Sequence, residues 1–162
     1  MMTRCYSENY QNKMPTYKGC TVSEDWKDFD KFYEDFVNIP NSNMLDYELD
    51  KDILVKGNRV YSKNTCCMIP RKINALMFKP SKDTSLPTGV TKCPYNHEIY
   101  IATIYLNGKN KSLIRTKSLE EAFQAYKKAK ELEIKRVAEV YKNVIDVDVY
   151  EALMSWEVTM YA

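Results

Sequence analysis

Apolar residues first recur at helical spacing after Ser23, where Trp26, Phe29, Tyr33, Phe36 and Val37 fall on one face. Ser23 followed by Glu24 and Asp25 is a helix start, so the spacing predicts a helix that ends before Pro40, with its aromatic stripe as core. From Tyr47 to Tyr61 the pattern shortens. Ile53-Leu54-Val55 and Arg59-Val60-Tyr61 flank Lys56-Gly57-Asn58, which predicts a β-hairpin. Pro70 suits the first position of a short helix whose apolar face is Ile73, Leu76 and Met77.

In the second half, Glu98 to Leu106 alternates in part, Asn107-Gly108 is a strong hairpin turn, and Lys111 to Thr116 returns as a strand. Ser118-Leu119-Glu120-Glu121 reads as a capping box opening a long helix, with Leu119, Ala122, Phe123, Tyr126, Ala129, Ile134, Val137 and Tyr141 as its apolar stripe. Asp146 to Met160 adds a last amphipathic piece through Val149, Leu153 and Trp156, expected to close over the second module. Between the halves, Lys79 to Thr88 holds Pro80 and Pro87 with few apolar residues and reads as a linker, with the boundary near residue 84. The expected class is therefore α+β. Residues 1–80 form a hairpin-and-helix module, 81–88 a linker, and 89–162 a three-stranded antiparallel sheet packed on one long helix. Trp26, Phe29 and Tyr33 are expected in one core, and Phe123, Tyr126 and Val137 in the other.

The composition, 44% hydrophobic and 28% charged in 162 residues, fits a folded chain of one ordinary or two very small domains. No run reaches membrane-spanning length and no signal peptide is visible, so an intracellular protein is expected. Five cysteines without a C-x-x-C pair argue against a disulfide framework and a closed zinc site. Reduced thiols are the default, with a metal held by Cys20, Cys66 and Cys67 as the alternative.

Charge changes the picture most. Residues 1–50 carry five basic and ten acidic side chains, 51–117 thirteen and three, and 118–162 six and nine, so a middle of +10 lies between arms of −5 and −3. From Ile53 to Lys82 there are seven Lys/Arg and no acid. Such a stretch needs either a polyanion or acidic faces elsewhere in the fold to neutralise it. Arg59, Lys63, Arg71 and Lys72 are its candidate contacts to nucleic acid.

Tyr17-Lys18-Gly19, Trp26, Phe29, Leu49-Asp50-Lys51-Asp52, Tyr61-Ser62, Cys66 and Ile73-Asn74 occur in an order that resembles phage and mobile-element HNH-type homing endonucleases. The resemblance implies a ββα-metal module in which a histidine activates water beside one divalent cation. Here Asp50 or Lys51 occupies the position of that histidine, Asn64 or Thr65 falls near the central asparagine, and Asn74 stands at the last site. The lone histidine, His97, lies in the other module and reads as a solvent-facing loop residue. Asp50 and Asn74, helped by Asp52, are the candidate ligands for Mg2+, although no cofactor is expected.

Gly89-Val90, Tyr100-Ile101-Ala102-Thr103-Ile104, Asn107-Gly108-Lys109, Leu113, Ser118-Leu119-Glu120-Glu121-Ala122 and Ala125-Tyr126 resemble the APETALA and ethylene-response-factor type of DNA-binding domain. The family lays its sheet in the major groove. The resemblance implies that Thr91, Lys92, Tyr100, Thr103, Tyr105, Lys109, Lys111 and Arg115 face DNA, while Ile101, Ile104 and Leu113 meet Ala122, Phe123 and Tyr126. Thr91, Thr103 and Tyr105 replace family arginines that read guanine, and Ile114 and Thr116 replace a glycine and a phenylalanine. Phosphate contacts by Lys92, Lys109, Lys111, Arg115 and Lys117 remain, and these carry no sequence information.

Three functions fit these residues. The leading expectation is a duplex-DNA-binding protein derived from a homing-type nuclease that acts by occupancy. A second is an active metal-dependent nickase. A third is a phage-encoded inhibitor whose acidic arms or basic middle occupy a host nucleoprotein defence complex.

Overall fold

The computed structural model describes residues 1–77 and 85–160. It is a mixed α and β protein with small sheets and one long helix. By contact pattern Met1–Leu76 and Tyr141–Leu153 form one unit, and the remaining described residues form a second. Of the piece from Asp146 to Met160 expected over the second module, residues 146–153 thus belong to the first unit and residues 154–160 to the second. Of the linker expected at 81–88, residues 81–84 lie outside the described residues.

The first unit opens with two short helices, α1 (Met2–Tyr6) and α2 (Glu8–Lys13), a single 3-10 turn and strand β1 (Thr21–Val22). The helix expected from Ser23 is two helices, α3 (Glu24–Lys27) and α4 (Phe29–Val37). Asp28 separates them. Its backbone is extended, and its carboxylate accepts the amides of Asp30 and Lys31 at 2.9 and 3.2 Å, which makes it the N-cap of α4. The break resets the helical phase, so Phe32 and Phe36 pack beside the buried Trp26, while Phe29 and Tyr33 point to solvent. The expected core positions of Phe29 and Tyr33 are therefore corrected.

The hairpin expected across Lys56-Gly57-Asn58 does not form. The turn itself is present, with Gly57 at φ 77° and the Asn58 amide donating to the Val55 carbonyl at 3.0 Å. Its flanks do not pair, because Asn58 uses its side-chain amide to hold the carbonyls of Lys51 and Val60 at 2.8 and 2.7 Å. Strand β2 (Tyr47–Asp50) instead pairs antiparallel with β4 (Cys67–Pro70), and β3 (Val60–Tyr61) between them pairs parallel with β1. Helix α5 (Arg71–Met77) follows β4 directly, one residue later than expected, with Pro70 ending the strand. Cys5, Cys20, Val22, Trp26, Ile39, Tyr61, Cys66 and Met68 form one buried cluster of this unit, and Ile69 and Ile73 are buried as well.

The second unit follows its local sequence signals closely. Strands β5 (Val90–Cys93), β6 (Asn96–Leu106) and β7 (Lys109–Thr116) form an antiparallel sheet in the order β5-β6-β7. Asn107 and Gly108, at φ 50° and 80°, supply the two left-handed residues of a tight hairpin turn. Helix α6 (Leu119–Tyr141) begins at Ser118, whose hydroxyl accepts the Glu121 amide at 3.2 Å. The reciprocal half of the box is absent, since the Glu121 carboxylate takes the Thr116 hydroxyl instead. Val90, Ala102, Ala122, Phe123, Tyr126 and Val158 form this core. Lys127 and Glu131 pin the C-terminal segment, donating to the Val158 carbonyl at 3.0 Å and accepting its amide at 2.7 Å. Helix α7 (Val147–Met154) buries Val149 and Leu153. No helix among the described residues is long and apolar enough to cross a membrane.

Candidate nucleic-acid interface

Residues directly opposite each other in an antiparallel pair share a face. Ala102 and Ile104 are buried and Tyr100 packs on the helix-backed core, so these three mark the inner face. Lys92 pairs with Tyr100, Lys111 with Ile104 and Lys109 with Leu106, which places all three lysines on that inner side, on the edge strands. They are nonetheless exposed. Tyr100, expected toward DNA, faces the helix; Ile101, expected toward the helix, has the opposite parity. The reason is the strict two-residue period of a strand, which cannot send both Ile101 and Ile104 inward. Leu113 does meet the core, helped by a register shift that lets it and Ile114 both reach it.

The open face carries Thr91, Ile101 and Arg115 in one row, Thr103 with Ser112, and Tyr105 with Asn110. Arg115 is its one cation among the described strand residues, and its Nη2 lies 4.0 Å from the Cys93 sulfur. Lys117 makes a loose, exposed ion pair with Glu98 at 3.6 Å. The side chains of Lys92, Lys109 and Lys111 have no ion pair or hydrogen bond among the described residues. His97 is exposed near the start of β6.

The cations of the first unit are differently placed. Lys63 is bound to Asp35 at 2.7 Å, which holds the Asp35 carboxyl below its ordinary range with help from the Trp26 indole. Arg71 pairs with Glu48 at 3.0 Å. Arg59 donates to the Lys18 carbonyl at 2.6 Å, and Lys72 is exposed. Lys79 and Lys82 of the acid-free stretch lie outside the described residues. Acidic groups from α4 and β2 thus neutralise part of that stretch from within the fold. Charge counting along the chain missed Asp35 and Glu48 because they approach through tertiary structure.

Lys51 is the one buried charged residue among those described, at 7% exposure. Its ammonium binds Asp52, donates to the Asn58 carbonyl at 3.1 Å and sits 5.8 Å from the Tyr61 ring. The Asp50 carboxylate accepts the amides of Asp52 and Ile53 at 2.7 and 2.8 Å, and burial still pushes its pKa up. Asn74 donates to Glu48, which also holds Arg71. Asp50 Oδ1 is thus taken up by two backbone amides, and the Asn74 amide nitrogen by Glu48. Among the described residues, no group of three or more His, Cys, Asp or Glu is gathered where a metal could bind.

All five cysteines are free and buried. Burial raises the Cys5 thiol, pushes Cys66 up to about 11 and raises Cys67 further. Cys93 goes the other way, lowered by the Tyr95 and Asn96 amides with Arg115 nearby. The thiolate is the reactive form, so alkylation near neutral pH is expected to mark Cys93 before Cys66 and Cys67. Peptide mapping after brief iodoacetamide treatment checks the order, and earlier labelling of Cys66 would contradict it. Comparisons with protein-family models, with curated proteins and with solved structures find no match to this chain.

Proposed function

We propose that this protein binds duplex DNA with little sequence discrimination and acts by occupancy rather than cleavage. One observation carries the reading: Lys92, Lys109 and Lys111 stand exposed on the two edge strands of one small sheet with no intramolecular counter-charge among the described residues. Long lysine stems at both edges of a sheet reach phosphates on either side of a groove, where they give affinity without reading bases. The open face, on the other side of the sheet from these lysines, offers one guanidinium, Arg115, among hydroxyl and apolar side chains, a poor set for guanine readout. Five free thiols accord with a reducing intracellular compartment.

Occupancy is favoured over cleavage because the resemblance to HNH-type nucleases places Asp50 or Lys51 where the base belongs. Lys51 is held by Asp52 and Asn58, and Asp50 caps two amides. Supercoiled plasmid is accordingly expected to stay intact with magnesium or manganese, since losing a positioned base costs roughly 10²–10⁴ in rate. Nicking that disappears on Asp50→Ala would restore the nuclease.

The test of binding is a titration of random-sequence duplex at several salt concentrations. Binding at low salt that falls steeply as salt rises supports the proposal. No binding at low salt overturns it and leaves a protein partner as the counter-surface for the basic edges.

A further inference from the structure

Helix α4 carries more apolar surface than its own unit covers. With 3.6 residues per turn, Phe32, Phe36, Phe29, Tyr33 and Val37 span an arc of about 140°, of which Phe32 and Phe36 fill the half packed on the core. Phe29, Tyr33 and Val37 are 72%, 56% and 48% exposed, and the first two rings stack with centroids 6.2 Å apart. Asp30 and Glu34 line the outer margin of this strip, exposed and without ion pairs among the described residues, whereas Lys31 and Asp35 are already paired. A contiguous exposed aromatic strip marks an interaction surface. Its acidic margin selects a cationic counterpart and disfavours two such strips meeting each other, where like charges would face.

The chain itself presents the complementary surface. On the outer side of α6, away from the buried Ala122, Phe123 and Tyr126, Lys128, Leu132 and Lys135 recur at helical spacing, all exposed, with Leu132 at 67%. The acidic strip from Phe29 to Val37 rises about 12 Å and the basic one from Lys128 to Lys135 about 10 Å, so their lengths match. We propose that two copies of the protein associate by laying the Phe29-Tyr33-Val37 strip of one on the Lys128-Leu132-Lys135 face of the other. Leu132 meets the stacked rings, and the flanking lysines meet Asp30 and Glu34. The contact is small, so association is weak and salt-sensitive. It uses none of the lysines assigned to DNA and stands independently of that reading.

Sedimentation equilibrium of the whole protein at low ionic strength tests it. The expected result is an average mass above that of the monomer, rising with concentration and falling as salt is added. Phe29→Ser with Tyr33→Ser removes the association, and because both side chains face solvent the circular dichroism spectrum stays that of the folded protein. Glu34→Lys and Lys128→Glu each weaken association about tenfold, which corresponds to about 1.4 kcal/mol. Their combination restores it. A monomer at every concentration overturns the proposal, as does a combined variant that associates no better than either single one.

Discussion

Replacing Gly89 by alanine is expected to lower the stability of the sheet-and-helix unit by about 2–5 kcal/mol, from about 1–2 for a left-handed backbone and about 1–3 for overpacking. Gly89 sits at φ +80°, and a Cβ built on it would lie 2.1 Å from the Tyr126 ring. That ring cannot yield cheaply, because Tyr126 is buried in the core formed with Val90, Ala102 and Phe123. Nor can the backbone, since the Gly89 carbonyl accepts the Thr103 amide at 2.8 Å and so fixes β5 against β6. A loss of this size is a large part of the stability of a small domain, about 5–15 kcal/mol. Gly108→Ala is the control. It has the same φ of +80° but no atom closer than the Tyr105 hydroxyl at 4.0 Å, so it carries the backbone cost alone. Urea unfolding of both variants separates the two contributions, and equal losses would show that the close approach to Tyr126 contributes nothing.

The contrast between the two units shows which physics a sequence displays. In the second unit the decisive signals are local: Asn107-Gly108 sets the turn, and Ser118 caps the helix three residues before the amide it accepts. In the first unit the decisive contacts join residues far apart. Thr21 and Val22 pair with Val60 and Tyr61, and Tyr47 donates its hydroxyl to the Val144 carbonyl at 2.9 Å across most of the chain. No short-range pattern encodes either. The outward position of Phe29 and Tyr33 has a local cause in Asp28, because an aspartate serves as helix interior or as N-cap and apolar spacing alone does not distinguish the two.

The candidate site divides in the same way. That the middle of the chain is basic was legible, but which cations remain unpaired was not, because Asp35 and Glu48 reach Lys63 and Arg71 only in the folded state. Tyr100 and Ile101 lie on the faces that strand alternation alone assigns them. Alternation along β6 assigns Tyr100, Ala102 and Ile104 to one face, and that rule outranks an alignment of outward positions by resemblance.

If the edge-strand lysines grip phosphates, replacing Lys109 and Lys111 together by alanine is expected to flatten the salt dependence of DNA binding by roughly two units, about 0.9 for each lost phosphate contact. The weakening should be alike on unrelated duplexes, because phosphate contacts carry no base information. Both side chains are exposed and neither has an intramolecular partner among the described residues, so the variant should unfold at the same urea concentration as the parent. Lys63→Ala is expected to do much less, since Lys63 already faces Asp35 at 2.7 Å and its net charge at the surface is largely cancelled. Tyr105→Ala probes the opposite face: Tyr105 is 64% exposed beside Asn110, and its loss changes the ranking among sequences only if the open face meets base edges. Fluorescence anisotropy with three unrelated duplexes across a salt series measures all of these at once. An unchanged slope in the double lysine variant would remove these residues from the interface, and a parent affinity indifferent to salt would remove the phosphate grip altogether.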